Sequence, residues 1–466
     1  MSDHRQRGEV EGDVDFDRRT FLAHMAALAA SPQRARPAHA PRAKHVIYMH
    51  MEGSPPQHEL FDWKPELVKW DRKPCPDEFL RRERFAFIKG HPKLLGTPYR
   101  FRRHGQVGAW VSELLPHLAS IVDRLTFVKS MHTDEFNHAP AEFFLHTGAA
   151  RIGRPSMGSW VTYGIGSENA DLPGYVVLLS GGKTPSAGKS VWGSGFLPTT
   201  YQGVQLRSRG EPVLFLADPS FLDRSGRRRT LDALGDLNRL RARQVGDPEI
   251  EARVAQYELA FRMQESVPEA ADLDGEPESV RALYGAVPGQ ASFANNCLLA
   301  RRLVERGVRY VQMWDWGWDA HGTNPSDDIM TQLPKKCREV DRAITALILD
   351  LDQRGLLDET LVVWSGEFGR TPMNEERNGS KYLGRDHHPH CFTLFMAGGG
   401  VRRGYVHGET DEFGYRIVRD PVHVHDLQAT ILHLLGIDHE ALTFRFQGRE
   451  FRLTDVSGRV VRALLA

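Results

Sequence analysis

Asp386, His387, His388 and His390 stand together in the segment GRDHHPHC, directly before an apolar run from Cys391 to Ala397. A polar group of that density beside a buried strand costs desolvation unless it is paired or bound to metal. Carboxylate and imidazole are the donor types that hold divalent ions. A surface loop with solvated histidines is the alternative. Asp315, Asp319 and His321 form a second group, in WDWGWDAHGTN. An Asp-x-His pair on a loop brings a hard oxygen close to an imidazole, as a metal site requires or as structural hydrogen bonding can use. Glu367 and Arg370 are a third group, in TLVVWSGEFGRTP. They follow a short β-branched apolar run, and a structural ion pair would also explain them.

Two further loops carry similar chemistry. HTDEFNHAPAEFFLHTG holds His132, Asp134, Asn137, His138 and His146. Pro140 suits the first turn of a helix, which puts Asn137 and His138 at its amino end. That end favours an anion, and Asn137 also suits a plain N-cap. The loop MHMEGSPPQHELFDWKPEL supplies Glu52, Gln57, His58, Glu59 and Asp62.

These loops need a frame. His45 to Met51, the run RLTFVKSMHT, the run GYVVLLSGG, Val308 to Met313, Leu361 to Trp364 and Cys391 to Ala397 read as strands. The stretch from Asp328 to Gly355 has apolar residues at helical spacing, and Gly355 suits its end. Strands alternating with helices predict an α/β fold: a mainly parallel sheet with helices on both faces. Ligands of such sheets bind outside the carboxyl ends of the strands. The loops above deliver Asp, Glu and His to that edge. From about 215 to 285 the chain is charged, rich in Leu, Ala and Arg, and helical in period, which predicts a helical insertion within a single domain spanning 41–466.

Composition narrows the function. Lys plus Arg and Asp plus Glu are both 60, so the net charge is zero. That balance gives no support to a nucleic-acid or membrane-surface role. Cys75, Cys297, Cys337 and Cys391 are far apart, which fits neither a disulfide framework nor a thiolate zinc site. No apolar run is long enough to be an integral membrane segment. Residues 1–40 contain Arg18–Arg19, an apolar run to Ala30 and the small-x-small Ala38-His39-Ala40. This resembles a twin-arginine signal and predicts an exported protein, periplasmic or extracellular. A disordered charged tail is the other reading.

Several longer motifs carry a family resemblance. FDWKPEL, NHAPAEFFLHTG, CLLARRLVERGVRYVQM, WDAHG, SGEFGRTP, GRDHHP and LQATILHLLGID resemble the bacterial family called domain of unknown function 1501. That family resembles a branch of the alkaline phosphatase and sulfatase superfamily. The resemblance implies an alkaline phosphatase-like fold. It puts Glu367 on a metal-binding Asp and Phe368 on the His that follows it. It puts His138 on the nucleophile and Glu52 on the first-strand Asp. Asp319 and His321 fall near another Asp and His, and His387 or His388 near a late His. The implied function is a metal-dependent hydrolase of phosphate or sulfate esters, acting on a small-molecule or glycan ester. Its divalent ion (zinc, calcium, manganese or magnesium) would be held by some of Glu52, Asp319, His321, Glu367, Asp386, His387 and His388. His138 would be nucleophile or general base, with Asn137 and Arg370 holding the anion. Phe368 and His138 depart from the superfamily pattern. The alternative is therefore a non-catalytic binding or assembly protein on the same scaffold.

Overall fold

The computed structural model describes residues 37–80, 85–207, 209–213 and 223–466. The Arg18–Arg19 segment lies outside the described residues, as do residues 215–222 at the start of the expected insertion.

Among the described residues one sheet has nine strands. They are β1 (His45–Glu52), β2 (Leu125–His132), β3 (Tyr175–Ser180), β4 (Val204–Leu206), β5 (Tyr310–Trp316), β6 (Thr360–Ser365), β7 (Phe392–Ala397), β8 (Tyr405–His407) and β9 (Val422–His423). The order across the sheet is β8, β2, β7, β6, β1, β5, β3, β4, with β9 also paired to β2. β1 lies parallel to β5 and β6, β3 parallel to β4 and β5, and β2 parallel to β8 and β9. Only β7 runs the other way, antiparallel to both β2 and β6.

The strands read as unbroken apolar runs because both faces are covered. Along β1, Ile47, Met49 and Met51 join one core with Cys297 and Leu298 of α6 (Phe293–Glu305) and Val340, Ile344 and Leu347 of α7 (Gln332–Gln353). Val46 and Tyr48 point to the other face. They pack with Phe143, Phe144 and Leu145 of α1 (His138–Thr147), Trp160 of α2 (Met157–Ile165), and Leu427 and Ile431 of α8 (Val424–Leu434). Each fully buried aliphatic or aromatic side chain contributes about 1.5–3 kcal/mol. The stretch expected to be helical carries α3 (Arg224–Val245), α4 (Pro248–Ala271) and α5 (Glu278–Tyr284). α4 joins the α6–α7 core through Met263, Val267 and Ala270.

The reversed strand decides where the site lies. The loops after β1, β2, β5 and β6 leave the carboxyl edge of the sheet. β7 is antiparallel, so its amino end lies at that edge. Asp386 to His390 precede a strand and still arrive beside loops that follow strands. In a wholly parallel sheet they would sit at the opposite end.

Candidate metal centre

His138, Asp319, His321 and His387 converge at that edge, each with one ligand atom within 4.8 Å of the others. His138 is the first residue of α1. Asp319 and His321 follow β5, and His387 precedes β7. A close backbone approach fixes Asp319. Gly53 has φ +101°, and a Cβ there would stand 2.3 Å from Asp319 N. Arg370 is fully buried and holds the same carboxylate at 2.5 Å.

The hydrogen bonds fix which imidazole nitrogen faces inward. His387 Nδ1 lies 2.7 Å from Phe136 O, which can only accept, so Nδ1 carries the proton. His138 Nδ1 lies 2.5 Å from Glu367 Oε1. His321 Nδ1 is bonded to the Glu375 carboxylate. All three rings spend Nδ1 outward on an acceptor and turn Nε2 toward Asp319. Metal-ligating histidines are held this way.

The inner distances match an ion. His321 Nε2 is 2.9 Å from Asp319 Oδ1 and 3.1 Å from His387 Nε2. His138 Nε2 is 3.5 Å from Asp319 Oδ2, and His387 Nε2 is 3.7 Å from Oδ1. Donors about 2.0–2.1 Å from a tetrahedral ion are about 3.3 Å apart. Two neutral imidazoles that both spend Nδ1–H elsewhere would oppose bare lone pairs. A cation between them, or a proton on one, removes that opposition. The donor set of three imidazoles and one carboxylate therefore fits a divalent ion.

The acidities carry the same imprint. Burial works against a charged His138, yet its hydrogen bonds to Asp319 and Glu367 outweigh it and lift its pKa to about 10. Burial drives His387 down to about 3, so that ring is neutral. Burial would raise Asp319, but Arg370 and the three histidines hold its carboxyl well below the usual range. Without an ion, the proton on His138 compensates the carboxylates. The cluster opens to solvent through Asp319, whose side chain is 37% exposed, and His138, 21% exposed. Phe87 stands edge-on to His321 and His387 at the mouth. A cavity of about 460 Å³ adjoins it, lined by Phe87, Lys89, Lys93, Glu375 and Arg377 among others.

The remaining predicted residues fall in other places. Glu367 is fully buried and also accepts Gly53 N at 3.1 Å, so it supports the cluster through His138. Burial would raise it, but His138 and His50 keep it far below an ordinary carboxylate. Asp386 accepts Phe87 N at 2.7 Å and Ile88 N at 2.9 Å, which ties the mouth loop down. It also lies within 4.8 Å of His321 and Glu375. Glu52 accepts Ser186 N at 2.9 Å and its hydroxyl at 2.7 Å. His388 is not brought to the cluster. Its side chain stacks on Tyr415 and its Nε2 lies 2.7 Å from Tyr415 O, because neighbouring residues of an extended segment face opposite ways.

Arg370 does not face an open anion site. Its guanidinium donates to Ser54 O, Gly53 O, Arg385 O and Asp319, so it positions loops. Asn137 is exposed at the N-cap of α1 and its side chain does not cap the helix. Asp315 is spent on Lys336 at 2.7 Å and Trp318 Nε1 at 2.9 Å. Phe368 is 1% exposed and packs its ring on His138 and His387.

Sequence reasoning missed Glu375, His50 and Glu142. Two signals were present. His138, Glu142 and His146 recur every four residues, one stripe of α1. His50 and Glu52 continue the face of β1 begun by Val46 and Tyr48.

The chain belongs to the family described as "Protein of unknown function (DUF1501)", which it matches over residues 43–465. No curated protein matches it. Among solved structures it is similar to the PsFucS1 sulfatase from Pseudoalteromonas sp., at 12% identity and TM-score 0.36, over 90% of this chain and 72% of that one. It is similar to the phosphonate monoester hydrolase SpPMH from Silicibacter pomeroyi, at 13% identity and TM-score 0.35, over 91% of this chain and 76% of that one. It is also similar to the alkaline phosphatase from the Antarctic bacterium TAB5, at 9% identity and TM-score 0.33, over 85% of this chain and 99% of that one. Likeness at this level carries no activity or ligand over to this chain.

Proposed function

We propose that this member of the DUF1501 family is a metal-dependent hydrolase of phosphate or sulfate esters. One observation carries the reading: three imidazole Nε2 atoms converge on Asp319 while each Nδ1 is tied back to an acceptor. His138, Asp319, His321 and His387 would hold the ion. Imidazole-rich sets favour borderline ions such as zinc over manganese, calcium and magnesium. Bound there, the ion supplies Lewis-acid polarisation of an ester oxygen and offsets developing negative charge.

The chain's own residues do the rest. Glu367, Glu375 and the Phe136 carbonyl orient the rings. The exposed Asn137 amide and the backbone N–H groups of His138 and Ala139, at the start of α1, suit an anionic ester. Both nitrogens of His138 face carboxylates, so in this reading it is a ligand and not the nucleophile. The 460 Å³ cavity, with Lys89 and Lys93 in its wall, has room for the alcohol part of a small-molecule or glycan ester. Among the described residues no helix is long and apolar enough to cross a membrane. Export is proposed from the Arg18–Arg19 segment alone.

A non-catalytic binding role is the second reading. Phe368, buried against two of the rings, favours it, because it adds no donor where the superfamily motif has one. Turnover separates the two. Zinc- or manganese-loaded protein is assayed on p-nitrophenyl phosphate and sulfate, beside Asp319→Asn. Hydrolysis lost in the variant and on chelation supports the enzyme. A metal-loaded chain that turns over neither ester contradicts it.

A further inference from the structure

Behind the four-donor cluster lies a second group, of which the reading above uses only Glu367, and that only to orient His138. His50 sits near the end of β1, Glu142 one turn into α1, and Glu367 just after β6. All are fully buried. Each offers one ligand atom, and these lie within 4.8 Å of one another. The outer atom of each is already engaged. Glu142 Oε2 accepts Ala187 N at 2.8 Å. Glu367 Oε1 accepts Gly53 N at 3.1 Å and contacts His138. His50 Nδ1 lies 3.1 Å from His146 Nε2. The inner atoms are different. His50 Nε2, Glu142 Oε1 and Glu367 Oε2 are all buried without a hydrogen-bond partner. His50 Nε2 and Glu367 Oε2 face each other at 3.2 Å but are not aligned as a hydrogen bond.

Glu142 Oε1 has no partner and the His50–Glu367 contact is poorly aligned, so the three inner atoms are costly to bury unless something else engages them. Two carboxylates and one imidazole are donors that suit a divalent cation, and Glu52, 3% exposed, lies close by; with no cation there, burial and the carboxylates of Glu367 and Glu52 push Glu142 up to about 9. We infer that His50, Glu142 and Glu367 form a second, fully buried site for a divalent transition ion, joined to the outer cluster through Glu367. The two oxygens of Glu367 divide the work: Oε1 orients His138, and Oε2 serves the inner ion. The inner ion holds Glu367, and through it the ring of His138, in place. Occupancy of the inner site does not require the outer site to be filled.

The test is metal stoichiometry of the full chain, reconstituted with zinc alone and passed through a desalting column. Wild type is expected to retain two ions per chain. His50→Ala and Glu142→Gln are each expected to lose one and keep one. His387→Ala is expected to lose the outer ion and keep the inner. Retention of the wild-type count in both His50→Ala and Glu142→Gln overturns the inner site while leaving the outer one standing. Loss in those two but not in His387→Ala sinks the outer site and leaves this one. Anomalous diffraction from zinc-soaked wild-type crystals decides the case if the variants do not fold. A peak among His50, Glu142 and Glu367 is expected, and its absence at saturating zinc overturns the inference.

Discussion

Two buried charged groups lie at the same edge of the sheet, and they are built on opposite rules. Arg385 and Glu59 are both fully buried. Arg385 Nε and Nη2 grip the Glu59 carboxylate at 2.9 and 2.5 Å, and the guanidinium also donates to Thr371 O at 3.2 Å and Leu95 O at 2.9 Å. One residue away in sequence, Asp386 begins the segment that supplies His387 to the other group. There the donors point at a common centre, with the ring nitrogens of His321 and His387 3.1 Å apart. The first group is closed and its charges cancel. The second opens to solvent at Asp319 and His138, and its ring nitrogens face one another. Density of ionisable residues therefore does not mark a site. What marks it is donor atoms that the protein has oriented and left unused.

The largest expected effect breaks the closed group. Glu59→Ala strands a buried guanidinium and is expected to cost about 3–5 kcal/mol. The denaturation midpoint reads this, and zinc retained per folded chain should not change. Replacing both partners by apolar residues is expected to recover most of the loss. A single variant as stable as wild type would mean that the pair is not closed.

Glu375→Gln tests the open group through a residue that is not itself among the four donors. Weakening the acceptor behind His321 is expected to lower zinc affinity about 10–100-fold, as for other outer partners of metal-bound histidines. Competition with a chelator measures it. An unchanged affinity would mean that Glu375 does not orient the ring.

Asp62 sharpens the contrast by pH. Burial would raise its carboxyl, but Lys129 at 3.3 Å, Lys64 at 3.2 Å and Thr410 bring it from 3.8 to about 2. A depressed carboxyl adds stability above its unfolded pKa and loses it as pH falls through the folded one. About 2 kcal/mol should therefore disappear between about pH 4 and pH 2. In Asp62→Asn that part of the loss should be missing from denaturation midpoints taken across the range.

The open group responds in the same direction but at higher pH. His138 titrates near 10 without an ion, so below that pH a proton must leave before an ion binds. Zinc affinity is expected to rise with pH, by up to about tenfold per unit for this one proton. Chelator competition at three pH values between 6 and 8 would show it. A flat profile would mean that His138 stays protonated beside the ion and is not a ligand.

Much of the frame was legible in sequence. β1, β6 and β7 are runs of β-branched and aromatic residues, and their buried spans end within a residue or two of the expected ones. α7 was legible from its apolar spacing and from Gly355 beyond its end. The short edge strands β4, β8 and β9 have no period of their own and form only against their neighbours. At the site, Asp319, His321 and His387 were readable as a donor group. His387 and His388 could not be told apart, because adjacent residues share a motif but face opposite ways. Arg370 looked like an anion clamp because sequence does not reveal that backbone carbonyls surround it. His50 and Glu142 were hidden inside runs that read as plain strand and helix.

The central claim is that His138, Asp319, His321 and His387 jointly hold a divalent ion. X-ray absorption at the zinc edge, on the full chain loaded with one equivalent of zinc in a Glu142→Gln background, tests it most directly. The account predicts nitrogen and oxygen donors at about 2.0–2.1 Å, with outer-shell scattering from three imidazole rings. Zinc that shows no imidazole scattering, or a chain that retains no zinc, would contradict it.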